Sequence, residues 1–299
     1  MMALCADHGG LPRHIGGLGE VIDSYDGVIL DLWGVVHNGV SPFSRTIATL
    51  EKLRAAHKTV WLLSNAPRRV EIVAAQLSGM GIGPDLYTGL LTSGEASHEA
   101  LRDGLIAAWG PRCYLLGHAY GDGLLQGLPS TTAATIADAD YLLATSVPGG
   151  TLEDNIDVLQ AARARNLPML CANPDRVVHV GDDLLLCPGT LADYYEGIGG
   201  TVAWFGKPYA AVYERVLARM PSRRVLAVGD GMATDVKGAV AAGIDVALVT
   251  AGIHRESLFG GAAGGGEIAP GVPVAENRLQ ALIAAEGVKS SFIINGLSW

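Results

Sequence analysis

Residues 28–39 read VILDLWGVVHNG. The apolar run Val28-Ile29-Leu30 has the composition of a strand buried on both faces, and it stops at Asp31, ahead of a tight turn containing Gly34. A carboxylate at the C-terminal tip of a parallel strand lies where open α/β sheets place their chemistry. About two hundred residues downstream the pattern returns, as Val225-Leu226-Ala227-Val228 runs into GDGMATD and puts Asp230 and Asp235 at a second strand tip. Two such acidic strand ends suggest a carboxylate nucleophile facing hard oxygen ligands for Mg²⁺.

Working outward, strands alternate with helices. A helix over 44–56 carries Ile47, Leu50 and Leu53 at helical spacing, and a buried strand follows over 59–63. A further helix places Val70, Val73, Leu77 and Met80 on one face and ends at Gly79 and Gly81. The middle repeats the pattern with strands over 113–116, 141–144 and 169–172 and helices over 95–108 and 152–166. The core pattern resumes with an apolar stripe over 209–220, the 225–228 strand and a strand over 245–250. A glycine-rich stretch over 260–271 is too poor in side chains to pack, and a helix near Leu279 and an apolar segment over 292–297 follow it. The expected fold is α/β: a Rossmann-like parallel-sheet core over 1–88 and 203–299, interrupted by an inserted α/β cap over 89–202.

At 299 residues, 49% of them apolar, the chain can fill two such cores. No apolar run approaches the roughly 18–20 residues of a membrane helix. The opening MMALCADHGGLPRH has no continuous apolar stretch, so no secretory signal is expected. A net charge of −9 argues against nucleic acid or an anionic membrane as partner. Cys5, Cys113, Cys171 and Cys187 form no CxxC pair, which fits reduced thiols in a cytoplasmic protein.

Each chemical element has an ordinary reading when taken alone. Asp31 could be a solvated turn aspartate, Ser64-Asn65 plain loop chemistry, Lys207 a solvated charge and Asp235 a helix cap. The order changes the balance. An Asp, a Ser, a Lys and an Asp pair fall in turn at the ends of expected strands, and four independent coincidences would be needed to produce it. Carboxylate attack on phosphorus, a hydroxyl and amide to hold phosphate oxygens, and an ammonium to balance charge would account for all of them.

On Asp31 in DLWGV, Ser64 in LLSNA, Lys207 in FGKP and Asp230/Asp235 in GDGMATD, the chain resembles the haloacid dehalogenase superfamily of Asp-based phosphotransferases. The insertion between the Ser and Lys motifs, and Asn173-Pro174-Asp175 within it, look closest to the C2-capped class IIA branch, which includes sugar-phosphate, nucleotide and pyridoxal-phosphate phosphatases. The resemblance implies that Asp31 attacks phosphorus, that the Trp33 carbonyl, Asp31 and Asp230 bind Mg²⁺, and that Asp235 coordinates directly or through water. It also implies that Gly34 donates a backbone N–H and Asn65 its side chain to phosphate, that Ser64 bonds it and Lys207 neutralises it, and that Asn173 and Asp175 contact the substrate. A small phosphorylated metabolite is the implied partner. A homodimer is left open, since caps in such folds often supply dimer surfaces and no patch for one is readable.

One residue departs from the pattern. The family's phosphatases carry a second Asp two places after the nucleophile, to protonate the leaving oxygen and then activate water. Here Trp33 stands there, and an indole offers only an N–H. General acid–base catalysis is typically worth about 10²–10⁴-fold. Three readings stay open: His37 substitutes as acid and base; the leaving group is good enough, as in an acyl phosphate, to need no acid; or the site binds a phosphorylated ligand and turns over little. A carbon–halogen or carbon–phosphorus hydrolase on the same scaffold ranks behind these, because Asp230 and Asp235 would crowd Asp31 without a metal. His179 with Asp182-Asp183 reads as a cap hairpin, Pro188-Gly189-Thr190 as a helix start, and His254 as a rim residue without a visible partner.

Overall fold

The computed structural model describes residues 10–117, 121–180, 183–260 and 267–299. Among these, β1 (Arg13–His14), β2 (Gly27–Leu30), β3 (Thr59–Ser64) and β4 (Gly89–Thr92) open the core. The cap contributes β5 (Arg112–Leu116), β6 (Thr131–Thr132), β7 (Tyr141–Ala144), β8 (Pro168–Cys171), β9 (Val177–Val180), β10 (Asp183–Leu186) and β11 (Thr201–Trp204). The core closes with β12 (Val225–Gly229), β13 (Asp245–Val249) and β14 (Phe292–Ile294).

The core sheet is seven-stranded and parallel, in the order β1-β14-β13-β12-β2-β3-β4. From β2 the chain steps outward to β3 and β4; from β12 it steps the other way to β13 and β14. The order therefore reverses between β2 and β12, where open α/β sheets form their binding crevice. The apolar runs are continuous because both faces are covered. Val28 and Leu30 enter the hydrophobic cluster on one face with Leu50, Leu53, Val73 and Leu77, while Ile29 joins Val212, Tyr213 and Val216 on the other. β12 divides its side chains in the same way, with Leu226 and Val228 on the first face and Val225 and Ala227 on the second.

The cap has its own five-stranded parallel sheet, in the order β11-β8-β7-β5-β6, and its own clusters, with Leu142 and Ala144 in one and Tyr141 and Leu143 in the other. β9 and β10 form an antiparallel hairpin. Gly181 and Asp182, expected at its turn, lie outside the described residues, as do Cys5 and half of the glycine-rich stretch. Pro188–Gly197 is a helix, as its opening residues suggest.

The sheets correct both domain boundaries. Gly89–Thr92 pairs with β3 in the core sheet, from Trp61↔Gly89 to Ser64↔Thr92, so the insertion begins after it and not at 89. Thr201–Trp204 pairs with β8 in the cap sheet, so the insertion runs past 202 to the edge of the Lys207 loop. No helix among the described residues is long and apolar enough to cross a membrane.

Leu62 is fully buried in the middle of β3. Leu62→Ala is expected to lower stability by about 2–5 kcal/mol, read as a lower urea midpoint at unchanged slope. A loss under about 1 kcal/mol would contradict a tightly packed central sheet.

Candidate active site

Asp31 directly follows β2, and its N–H donates to the Val228 carbonyl on the neighbouring strand (2.9 Å), so it sits at the point where the strand order reverses. Asp230 directly follows β12. Asp31, Asp230 and Asp235 offer carboxylate oxygens within 4.8 Å of one another, and all three residues are buried. Between two of them lies the Lys207 ammonium, whose Nζ is 2.6 Å from Asp31 Oδ1 and 2.7 Å from Asp235 Oδ1. Leu32 N–H also donates to Asp31 Oδ1 (2.7 Å). Both donors thus fall on one oxygen and turn Oδ2 to other work. Asp235 Oδ2 accepts from Gly231 N (3.1 Å), and Asp230 Oδ2 from Ile253 N (2.8 Å).

Three glycines make this crowding physically attainable. A Cβ on Gly34, which sits at φ +78°, would fall 2.0 Å from Asp230 Oδ2, and one on Gly252 would fall 2.2 Å from the same atom. A Cβ on Gly229 would meet Asp235 Cγ at 2.1 Å.

One ammonium, in contact with two of the three buried carboxylates, leaves the site with an excess of negative charge. Burial drives Asp31 well above the usual carboxylate range; Lys207 opposes the rise, and Asp235 and Asp230 add to it. Burial and then the Asp235 charge push Asp230 up to about 7. Burial alone would depress the Lys207 ammonium, but Asp235 and Asp31 reverse this and hold it well above its ordinary value. Buried, mutually repelling carboxylates with hard oxygens are the donor set a divalent cation fits. The cleft above them encloses about 1040 Å³ and is lined by Asp31, Trp33, Gly34, Asp230 and Asp235 from the core, with Asp175 to Val178 reaching in from the cap.

A family model for haloacid dehalogenase-like hydrolases matches residues 28–126, and one described as HAD-hydrolase-like matches 204–273. A solved haloacid dehalogenase-like hydrolase from Brucella suis 1330 is 30% identical, covering 96% of this chain and 100% of that one at a TM-score of 0.77. The chain belongs to the haloacid dehalogenase-like hydrolase family. Its cap, inserted between the Ser64 and Lys207 motifs, is that of the C2-capped class IIA branch. The D-glycerol 3-phosphate phosphatase of Mycobacterium tuberculosis is 26% identical over 255 residues, 79% of this chain; the match spans 65% of that protein's length. A structure of the glycerol phosphate phosphatase Rv1692 from M. tuberculosis in complex with calcium shares the fold at 24% identity, 79% and 70% coverage and a TM-score of 0.61. A second structure of Rv1692 is in complex with magnesium.

The fold brings Asp31, Ser64, Lys207, Asp230 and Asp235 to one end of the core sheet. Ser64 Oγ accepts from Ala66 N (3.2 Å), which leaves its proton to donate. Other expected site residues already have partners within the protein. The Gly34 N–H donates to the His37 carbonyl (3.0 Å), and the lack of a side chain at Gly34 leaves space for Asp230. The Asn65 side chain is spent as well: Nδ2 donates to Asp175 Oδ1 (2.8 Å) and to the Lys207 carbonyl (3.1 Å), and Oδ1 accepts from Lys207 N (2.7 Å). Asn173 Oδ1 closes a turn onto Asp175 N (2.9 Å), a backbone role; of the two cap residues only Asp175 lines the cleft.

His37 is not placed as a substitute acid. Its ring is 3% exposed, packs edge-on against Trp33 at 5.3 Å and accepts the Gly39 N–H at Nδ1 (2.9 Å). Burial lowers its pKa to about 4, so it is neutral where a general acid would have to be charged. Sequence reasoning missed Gly252 and the Ile253 N–H, which hold Asp230 from the loop after β13; the glycine following that strand was the available signal. His254 does have a partner: its Nε2 accepts from Met232 N (3.2 Å).

Because His37 takes up a proton near pH 4 when folded but near 6.5 when free, the unfolded chain binds the proton first as pH falls. Stability from this group is therefore lost on acidification from about 6.5 towards 4, on the order of 2 kcal/mol. His37→Gln is expected to shrink the loss of unfolding free energy between pH 7 and 4.5 by that amount; an unchanged acid slope would contradict the buried neutral ring.

Proposed function

We propose that this hydrolase cleaves a small phosphate monoester with the help of a divalent cation, Mg²⁺ best matching the oxygen donors, by way of a phosphorylated Asp31. The observation that carries the reading is the Lys207 ammonium shared by Asp31 and Asp235 beside Asp230 at the floor of the cleft. Asp31 Oδ2 forms the new bond to phosphorus as the ester oxygen leaves with its bonding pair and takes up a proton from solvent water, which the water attacking in the second step returns. Water then attacks phosphorus, which frees inorganic phosphate and restores the carboxylate. Lys207 balances charge in both steps and fixes Asp31 Oδ1, so that one oxygen faces the substrate. Asp31, Asp230, the Trp33 carbonyl and, directly or through water, Asp235 would hold the cation, which when bound would offset charge on the phosphate oxygens. Relatives named as a glycerol phosphate phosphatase support a small phosphorylated polyol or sugar as substrate.

Trp33 favours a second reading, a phospho-ligand-binding protein of low turnover, since its indole stands where a leaving-group acid is expected. Phosphate release from a panel of sugar, polyol, nucleotide and acyl phosphates, with and without Mg²⁺, separates the two. The hydrolase reading expects Mg²⁺-dependent release that falls at least about 10³-fold in Asp31→Asn. Ligand binding without release would support the second reading. Trp33→Asp is expected to raise turnover of alkyl phosphates by about 10²-fold or more; no gain in a folded variant would count against an absent acid as the limiting feature.

A further inference from the structure

Three loops distant in sequence meet behind the cleft wall. Asn65 follows β3, Lys207 follows β11, and Asp175 belongs to the cap loop after β8. Asn65 and Lys207 are 3% and 2% exposed, so their polar groups depend on each other. The Asn65 amide can take only one orientation. Its oxygen must face the Lys207 N–H, and its nitrogen must face two acceptors, the Lys207 carbonyl and Asp175 Oδ1. A flipped amide would set oxygen against both acceptors and an N–H against an N–H. The junction is built to close tolerance: a Cβ on Gly206, at φ +126°, would lie 2.5 Å from Asn65 Oδ1 and 2.7 Å from Pro174 Cδ. The cap side is equally fixed, since a Cβ on Gly189 would lie 2.3 Å from the Pro174 carbonyl oxygen and 2.5 Å from that of Asp175. Ser93 Oγ adds a second tie, within 2.7 Å of the Asn65 carbonyl and 2.5 Å of that of Ala172 at the end of β8.

We propose that Asp175 is a positioning residue for Lys207: the cap carboxylate fixes the Asn65 amide, and the amide fixes the lysine backbone so that Nζ spans Asp31 and Asp235. The ammonium is then in place only while the Asn173-Pro174-Asp175 loop is seated on the core, which couples cap engagement to the position of the counter-charge beside the nucleophile. This rests on the hydrolase reading for its catalytic consequence but not for its structural one.

The test has two arms. In the first, Asp175→Ala, Asn65→Ala and the double variant are pulse-labelled with acetic anhydride, and Lys207 acetylation is measured by mass spectrometry against exposed Lys237. Labelling of Lys207 is expected to rise about tenfold in each single variant and no further in the double variant, because the two residues act in one chain. Asp175→Asn, whose amide oxygen still accepts from Asn65, is expected to stay near the parent. In the second arm, hydrolysis of p-nitrophenyl phosphate with Mg²⁺ is expected to lose about tenfold or more in kcat, with KM moving under about threefold. A folded Asp175→Ala protein with Lys207 as protected as in the parent overturns the proposal, as does a rise in KM at unchanged kcat, which would make Asp175 a substrate contact. Should the alanine variant not fold, Asn65→Asp loses both donors, keeps the acceptor and carries the same expectations. If the parent releases no phosphate, the hydrolase reading fails while the labelling arm still decides this proposal.

Discussion

A single buried ammonium shared by two buried carboxylates holds this site together. Without Lys207, the buried carboxylates of Asp31, Asp230 and Asp235 would face one another with no counter-charge, and burial already favours the protonated forms of Asp31 and Asp230. With it, Asp31 and Asp235 keep a counter-charge at hydrogen-bond distance, and the remaining negative excess is what attracts a cation. The fold serves this balance. Asp31 and Asp230 come from the two strands between which the chain reverses its outward direction, and Lys207 arrives from the end of the cap.

The crowding also explains why the surrounding backbone is so rich in glycine. Gly34, Gly229 and Gly252 lie against the carboxylates with no room for a methyl group. The positive φ of Gly34 adds a second constraint, since a side chain there would be strained even where space allowed it. Trp33 sits on the same turn, its indole pressed against Gly39, where a Cβ would come within 2.4 Å of the ring. A bulky, seated aromatic lines the cleft in that position and offers no transferable proton.

Much of this was legible in the sequence because the acidic groups directly follow long apolar runs. Asp31 and Asp230 each end a run that only a doubly covered strand explains, and the structure brings both to the same end of one sheet. Less was legible where identity depends on pairing. Gly89–Thr92 has only Leu90 and Leu91 to mark it as a strand, and its membership of the core follows from its register with β3 and from Gly89 making room for the Trp61 ring. Thr201–Trp204 likewise belongs to the cap only through its pairing with β8. Donors mislead for a related reason. A sequence shows that Gly34 and Asn65 have N–H groups, but not that the His37 carbonyl, Asp175 and Lys207 have already claimed them. His37 looked like a group titrating near neutrality until burial and a Gly39 hydrogen bond removed it from that range.

On this reading the early aspartate and the late acidic pair would serve one divalent cation beside Lys207. Crystals soaked in Mn²⁺ and measured at its absorption edge test it most directly. One strong anomalous peak is expected at roughly 2.0–2.3 Å from carboxylate oxygens of both Asp31 and Asp230, with the Lys207 ammonium still spanning Asp31 and Asp235. A peak elsewhere, or none at saturating Mn²⁺, would contradict it.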